Sequence, residues 1–183
     1  MKRLSIVVFF ALALCRLAGA QEVSVSTNMA DLANFGTFNL GASYAFARHW
    51  SAEAALKYNP FSFGEGDEAK VNRQRTVQAG ARWWPWHIYS GWWVGGNVRF
   101  QEYSTGGFSS PETSEGDRFG GGIRGGYSYM LSEHVNLDLG LGVWAGYDIY
   151  RTYACPVCGR VLGSGSKYFI LPSDLILSVA YIF

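Results

Sequence analysis

Apolar and polar residues alternate with a period of two along most of this chain, and beyond its first twenty residues no segment keeps a helical period. In 37–46, Phe38, Leu40, Ala42, Tyr44 and Phe46 share one face, opposite Thr37, Asn39, Gly41 and Ser43. In 50–59, Trp50, Ala52, Ala54, Leu56 and Tyr58 oppose Ser51, Glu53, Lys57 and Asn59. The pattern is clearest in 134–149, where Val135, Leu137, Leu139, Leu141, Val143 and Tyr147 oppose Asn136, Asp138, Gly140 and Gly142. The last eleven residues set Leu175, Leu177, Val179, Tyr181 and Phe183 against Asp174, Ser178 and Ala180. Weaker alternation covers 22–29, 73–84, 91–103 and 117–130. Eight strands are predicted, most of them near the roughly 9–11 residues that a tilted membrane strand needs.

The connections sort into two kinds. Those near 47–49, 85–90 and 131–133 are short, whereas 30–36, 60–72, 104–116 and 150–172 are mostly longer and rich in Gly, Ser, Asp and Glu. In an antiparallel barrel alternate connections share an end, so the short ones fall together. That asymmetry predicts an all-β, eight-stranded antiparallel transmembrane β-barrel, with short periplasmic turns and longer external loops. The closing Tyr181-Ile182-Phe183 suits the end of an outer-membrane strand.

Alternation alone does not say which face points inward. A soluble, lipocalin-like barrel would enclose the apolar face around a ligand. Here the polar face carries Glu53, Lys57, Arg82, Arg99, Arg124, Asp138 and Asp174 among many glycines. An eight-stranded interior is only wide enough for side chains to fill it. These charges are therefore expected to neutralise one another as an ion-pair plug, since burying them unpaired would cost several kcal/mol each. Gly140, on that face, is expected to accept serine mildly.

The first twenty residues change the compartment. Lys2 and Arg3 precede the apolar run Leu4–Leu14 and the small residues Ala18-Gly19-Ala20. That predicts a cleaved signal peptide over 1–20 and a mature domain over 21–183, exported to the outer membrane. Cys15 lacks the small preceding residue of a lipobox. Once Lys2, Arg3 and Arg16 are removed, 12 basic residues face 14 acidic ones, and no basic run suggests nucleic acid.

Two dense stretches remain. "WWPWHIYSGWW" (83–93) holds Trp83, Trp84, Trp86, Trp92 and Trp93 across a predicted periplasmic turn. An interfacial aromatic girdle is the expected reading, with a sugar-stacking site as the alternative. "ACPVCGR" (154–160) places Cys155 and Cys158 in the last external connection. A local disulfide is the simplest reading. Zinc would need four ligands, and His49, His87 and His134 all fall at the short-turn end. A thioredoxin-type thiol wants a helix N-terminus that this loop does not supply. No metal or cofactor is expected, and no catalytic set is found. Calcium in "FGEGDEAK" lacks a recognisable loop pattern.

The stretches "VSTNMADLANFGTFNLG", "YNPF", "RWWPWHIYSGWW", "GVWAGY", "YACPVCGR" and "LPSDLILSVAYIF" carry a resemblance over the whole mature chain. It resembles a small family of unknown function, predicted outer-membrane barrels of anaerobic gut Gram-negative bacteria. That resemblance implies genes beside those for fimbrial subunits, and hence surface-fibre assembly or anchoring. It transfers no catalytic or binding residue. The expected function is a structural or interaction barrel, its lumen plugged. Outer-membrane lipid surrounds it, and its external loops, with the aromatic tips Phe61, Phe63, Phe108, Tyr150 and Tyr153, meet a partner such as a fimbrial or other surface component. An outer-membrane enzyme acting on lipid A or peptides, or a soluble ligand-binding barrel, is the alternative.

Overall fold

The computed structural model describes residues 22–64, 66, 69–108, 110–156 and 159–183, without the side chains of 173 and 174. The expected signal segment, Cys158 and the Asp174 side chain therefore lie outside the described residues.

The elements are β1 (Val23–Asn28), α1 (Met29–Ala33), β2 (Phe38–Ala47), β3 (Trp50–Asn59), β4 (Ser62–Phe63), β5 (Lys70–Trp83), β6 (Gly91–Gly106), β7 (Thr113–Met130), β8 (Val135–Tyr153) and β9 (Val161–Ile182). The fold is all-β apart from the five-residue α1, and each strand pairs antiparallel with its neighbours. Two pairings beyond the consecutive ones, β3 with β5 and β1 with β9, close eight strands into a hydrogen-bonded ring. The two-residue β4 lies against the start of β5.

Every predicted strand is present, but five, β5 to β9, run further than the alternation indicates. The expected connections 104–116 and 150–172 shrink to 107–112 and 154–160. In β6 to β8 both faces beyond the apolar stretch carry Ser, Thr, Gly, Arg or Glu, and in β9 the run Tyr168-Phe169-Ile170-Leu171 is apolar on both, so no period shows. The ladder needs only backbone groups, and it continues through pairs such as Glu115 with Arg151 and Ser114 with Thr152. The expected loop 30–36 also begins with a helix, because the Asn28 side chain accepts the Ala30 N–H at 3.2 Å and caps it.

One register row links Ser26, Gly41, Ala55, Gln78, Arg99, Gly120, Gly146 and Phe169. Ser26 itself faces Ala180, so the row returns 11 residues displaced (169 to 180). A bulge absorbs one of them, since Leu141 and Val143 face Leu175 and Pro172. A stagger of this size in an eight-membered ring requires strands tilted by about 40° to the ring axis.

The outer face is apolar and the inner face polar. Ile123 and Leu141 are each 67% exposed, whereas Asp148 on the opposite face is 0% exposed. In β9 the inward residues below the bulge are Ile176, Ser178, Ala180 and Ile182. Above it the phase shifts, and Phe169 packs on the buried Trp144 at 4.5 Å. At the short-turn end Trp84, Tyr89, Trp93, Ile176 and Ile182 form the one buried apolar cluster among the described residues.

Candidate functional site

The residues that alternation places on the polar face meet inside the ring. Glu53 on β3, Arg82 on β5, Arg124 on β7 and Asp138 on β8 form one cluster. Arg82 Nε lies 2.7 Å from Glu53 Oε2, and its Nη1 lies 2.8 Å from Asp138 Oδ2. Arg124 Nη2 pairs with Glu53 Oε1, and Ser128 Oγ donates to Asp138 Oδ1. Two guanidinium groups thus face two carboxylates where water is largely excluded, which is the condition for burying such charges without a large desolvation cost. The space left around them is about 70 Å³, room for no more than a few waters.

Toward the long-strand end a second tier fills the ring. Lys57 lies 2.8 Å from Asp31 on α1. Arg99 donates to Gln78 Oε1 at 2.7 Å and lies over the Trp144 ring at 4.9 Å. Arg118 lies 3.1 Å from Asp148 Oδ2 and 3.8 Å over the Tyr103 ring, and the Tyr103 hydroxyl donates to Asp148 at 3.0 Å. Of the seven polar-face residues expected here, Glu53, Arg82, Arg124 and Asp138 come together directly. Lys57 and Arg99 sit in the second tier, and Asp174 lies outside the described side chains.

Sequence reasoning missed Asp31, Tyr103, Arg118 and Asp148. Arg118 shares the phase of Arg124, and Asp148 that of Asp138, so continued alternation could have found both. Nothing in the sequence marks Asp31, because α1 falls in an expected loop.

The aromatic girdle needs correction. Trp83, Trp86 and Trp92 are exposed, but Trp84 and Trp93 are each 1% exposed inside the ring. Trp92 and Trp93 are neighbours in a strand and must point to opposite faces. Trp84 follows the end of β5, where the connection 84–90 turns inward, and its Nε1 donates to Ser51 Oγ at 3.0 Å. Tyr89 enters with it. Its hydroxyl accepts from Ser43 Oγ at 3.0 Å and donates to the Glu22 carbonyl at 3.1 Å, and burial raises its pKa above the ordinary phenol value. Arg82 lies 4.1 Å over the Trp93 ring.

Gly140 corrects a second expectation. A Cβ there would meet the Gly125 carbonyl at 2.8 Å and the Trp93 ring at 3.1 Å. Serine would be crowded, because glycine at Gly126 and Gly140 makes room for Trp93.

At the long-strand end Phe35 packs against Phe108 at 5.4 Å and Phe63 at 5.9 Å, and Phe61 packs against Phe38 at 6.0 Å and Phe63 at 6.3 Å. Three connections are joined by these rings, which remain partly exposed. In the last connection the Ala154 N–H donates to the Arg160 carbonyl at 2.9 Å and closes the base. Cys155 there is buried and disulfide-bonded. The three histidines lie at the other end. His49 Nδ1 contacts the Trp84 carbonyl at 2.8 Å and His134 Nδ1 the Ile182 carbonyl at 3.0 Å, while His87 bridges to Ser90. Among the described residues no group of three or more His, Cys, Asp or Glu side chains is placed to hold a metal.

Residues 6–183 match a family described as "Protein of unknown function (DUF3575)". The chain belongs to the DUF3575 family. Among curated proteins, none matches this DUF3575 member. Membership brings no assigned catalytic or binding residue, so the chemistry of the interior is read from its own geometry.

Proposed function

We propose that this DUF3575 member is an outer-membrane β-barrel of structural or interaction type, its lumen plugged by ion pairs and its external loops contacting a partner. The observation that carries this reading is the inverted distribution of polarity. Val98, Ile123, Leu141 and Leu175 stand on the exposed outer face, while Glu53, Arg82, Arg124, Asp138 and Asp148 are held inside. A soluble barrel gains stability from the opposite arrangement, and an apolar exterior of this extent needs lipid around it.

Further support comes from the stagger, which agrees with the roughly 35–45° tilt of outer-membrane strands. Trp50, Trp83, Trp92, Tyr129 and Tyr181 are also exposed near the short-turn end, where an interfacial girdle would lie. Only about 70 Å³ is left beside the Glu53–Arg82–Asp138 tier, which favours a plug over a pore. The aromatic cluster of Phe35, Phe61, Phe63 and Phe108 offers a partner-facing surface on the outside. A fimbrial or other surface component as the partner follows from the family resemblance alone.

The test is fractionation of cells expressing the full chain. The protein is expected in the outer-membrane fraction after carbonate extraction, with different gel mobility before and after boiling. Recovery in the soluble periplasmic fraction would overturn the proposal.

A further inference from the structure

The ring is closed unevenly. β1 pairs with β9 only from Ser24–Ile182 to Asn28–Ser178, yet β9 continues along β8 to Val161. On its other side, above Ser178, no strand among the described residues takes up β1's place. The short α1 stands there, with Met29 and Leu32 exposed outward and Asp31 bonded inward to Lys57. On the β9 side of the same seam lies Pro172, which has no N–H to offer a ladder, beside the bulge.

Behind the seam is a cavity of about 350 Å³. Both sides of the seam line it: Ala30, Asp31 and Asn34 from α1 and its C-terminus, and Leu171, Pro172 and Leu175 from β9. Its deeper wall carries Lys57, Arg99 and Arg118 with the amides of Gln74 and Gln101. The cavity is thus apolar at the seam and cationic at depth: among the described residues its lining carries three basic groups and one carboxylate, and Arg118 is also held from behind by the buried Asp148. Its size is that of a small-molecule site.

We propose that this seam admits a single-chain acidic amphiphile from the surrounding lipid. The phosphate or carboxylate head sits against Arg99 and Arg118, and the chain leaves between α1 and β9. Guanidinium groups offer an oxyanion several directed donors, so an acidic head is favoured over a neutral one. An apolar chain passing between Leu171, Leu175 and Ala30 replaces contacts that a strand would otherwise make. The inference rests on the membrane reading above.

The experiment uses full-length protein purified from membranes in a non-ionic detergent, with binding followed by native mass spectrometry. Lysophosphatidic acid is the probe, monoacylglycerol of the same chain length removes the charge, and glycerol phosphate removes the chain. One lysophosphatidic acid per protein is expected, with monoacylglycerol about ten-fold weaker and glycerol phosphate weaker still. Ala30→Trp and Leu171→Trp, which fill the seam from opposite sides, are each expected to weaken lysophosphatidic acid about ten-fold, with gel mobility still heat-dependent. Failure of wild-type protein to bind lysophosphatidic acid overturns the inference. So does equal binding of monoacylglycerol or glycerol phosphate, or undiminished binding by a folded seam variant. A protein that fractionates as soluble sinks the membrane reading itself, whereas a membrane-embedded protein that binds none of the probes sinks only this inference.

Discussion

Asn28 makes the last rung between β1 and β9 with its side chain: Nδ2 donates to the Leu175 carbonyl at 3.1 Å and Oδ1 accepts the Leu177 N–H at 2.9 Å. The amide imitates one more peptide of a strand that has already turned into α1. The same Oδ1 caps that helix, and the Asn28 backbone is clasped by the Asn39 side chain through bonds of 2.5 and 2.8 Å. One residue therefore ends a strand, starts a helix and seals the ring. Asn28→Ala is expected to cost about 2–3 kcal/mol, from two ladder-type bonds and a cap. Urea unfolding in detergent checks this, and Asn28→Asp, which keeps the accepting oxygen, should recover part of the loss. An unchanged midpoint for the alanine variant would show that the seam is held by packing alone.

The Arg82–Asp138 pair is the most direct test of the buried charge network. Removing one partner leaves an uncompensated charge where little water reaches, so Arg82→Met or Asp138→Leu alone is expected to cost about 3–5 kcal/mol. The double variant should cost less than the sum of the two, because neither charge is then left behind. A double-mutant cycle by denaturant unfolding gives the coupling; simple additivity would mean the pair is not coupled in solution.

Leu141 distinguishes a lipid-facing surface from a solvated one. It is exposed on the outer face, so Leu141→Arg should cost about 2–4 kcal/mol in a bilayer and reduce assembly. In a soluble ring the same change at an exposed position would be nearly neutral. Folded yield in membranes, read by gel mobility before boiling, separates the two. Gly140→Ser is expected to be damaging as well, through the crowding of Trp93.

Cys155 sits in a connection already closed by the Ala154–Arg160 hydrogen bond. With Cys158 as its partner, the bridge spans so few residues that it contributes only about 2 kcal/mol. The double variant Cys155→Ser with Cys158→Ser is therefore expected to assemble normally and lose order only in that loop. Mass spectrometry of the untreated peptide should find it lighter by two hydrogens than the reduced form. Two free thiols with stoichiometric zinc would refute the bridge.

The interior is expected to block ion flow. Steady single-channel currents from wild-type protein in planar bilayers would contradict the plugged reading, because the space beside the Arg82 cluster is about 70 Å³ and lies across the ring.

Much of this was legible in the sequence because a strand converts sequence phase directly into a face. Period two placed Glu53, Arg82, Arg99, Arg124 and Asp138 on one side and Leu139, Leu141 and Val143 on the other, with no knowledge of neighbours. It also put the histidines and Cys155 at opposite ends, since short and long connections alternate. Where the phase is interrupted the sequence is silent. The bulge between Pro172 and Leu175 reverses which residues of β9 point inward, and no local signal predicts it. Trp84 and Trp93 look like their neighbours Trp83 and Trp92, and only the inward turn of 84–90 and the strand pleat separate exposed rings from buried ones. The reach of β6 to β9 depends on backbone pairing with partners distant in sequence. The upper halves of β6 to β8 carry polar residues on both faces, and that of β9 carries the unbroken apolar run Tyr168-Phe169-Ile170-Leu171, so period two reveals none of them. Pairing between charges is likewise tertiary. The residue types show that cations and carboxylates share a face, but ring closure and stagger decided that Arg82 meets both Glu53 and Asp138, and that Asp31 arrives from a helix to meet Lys57.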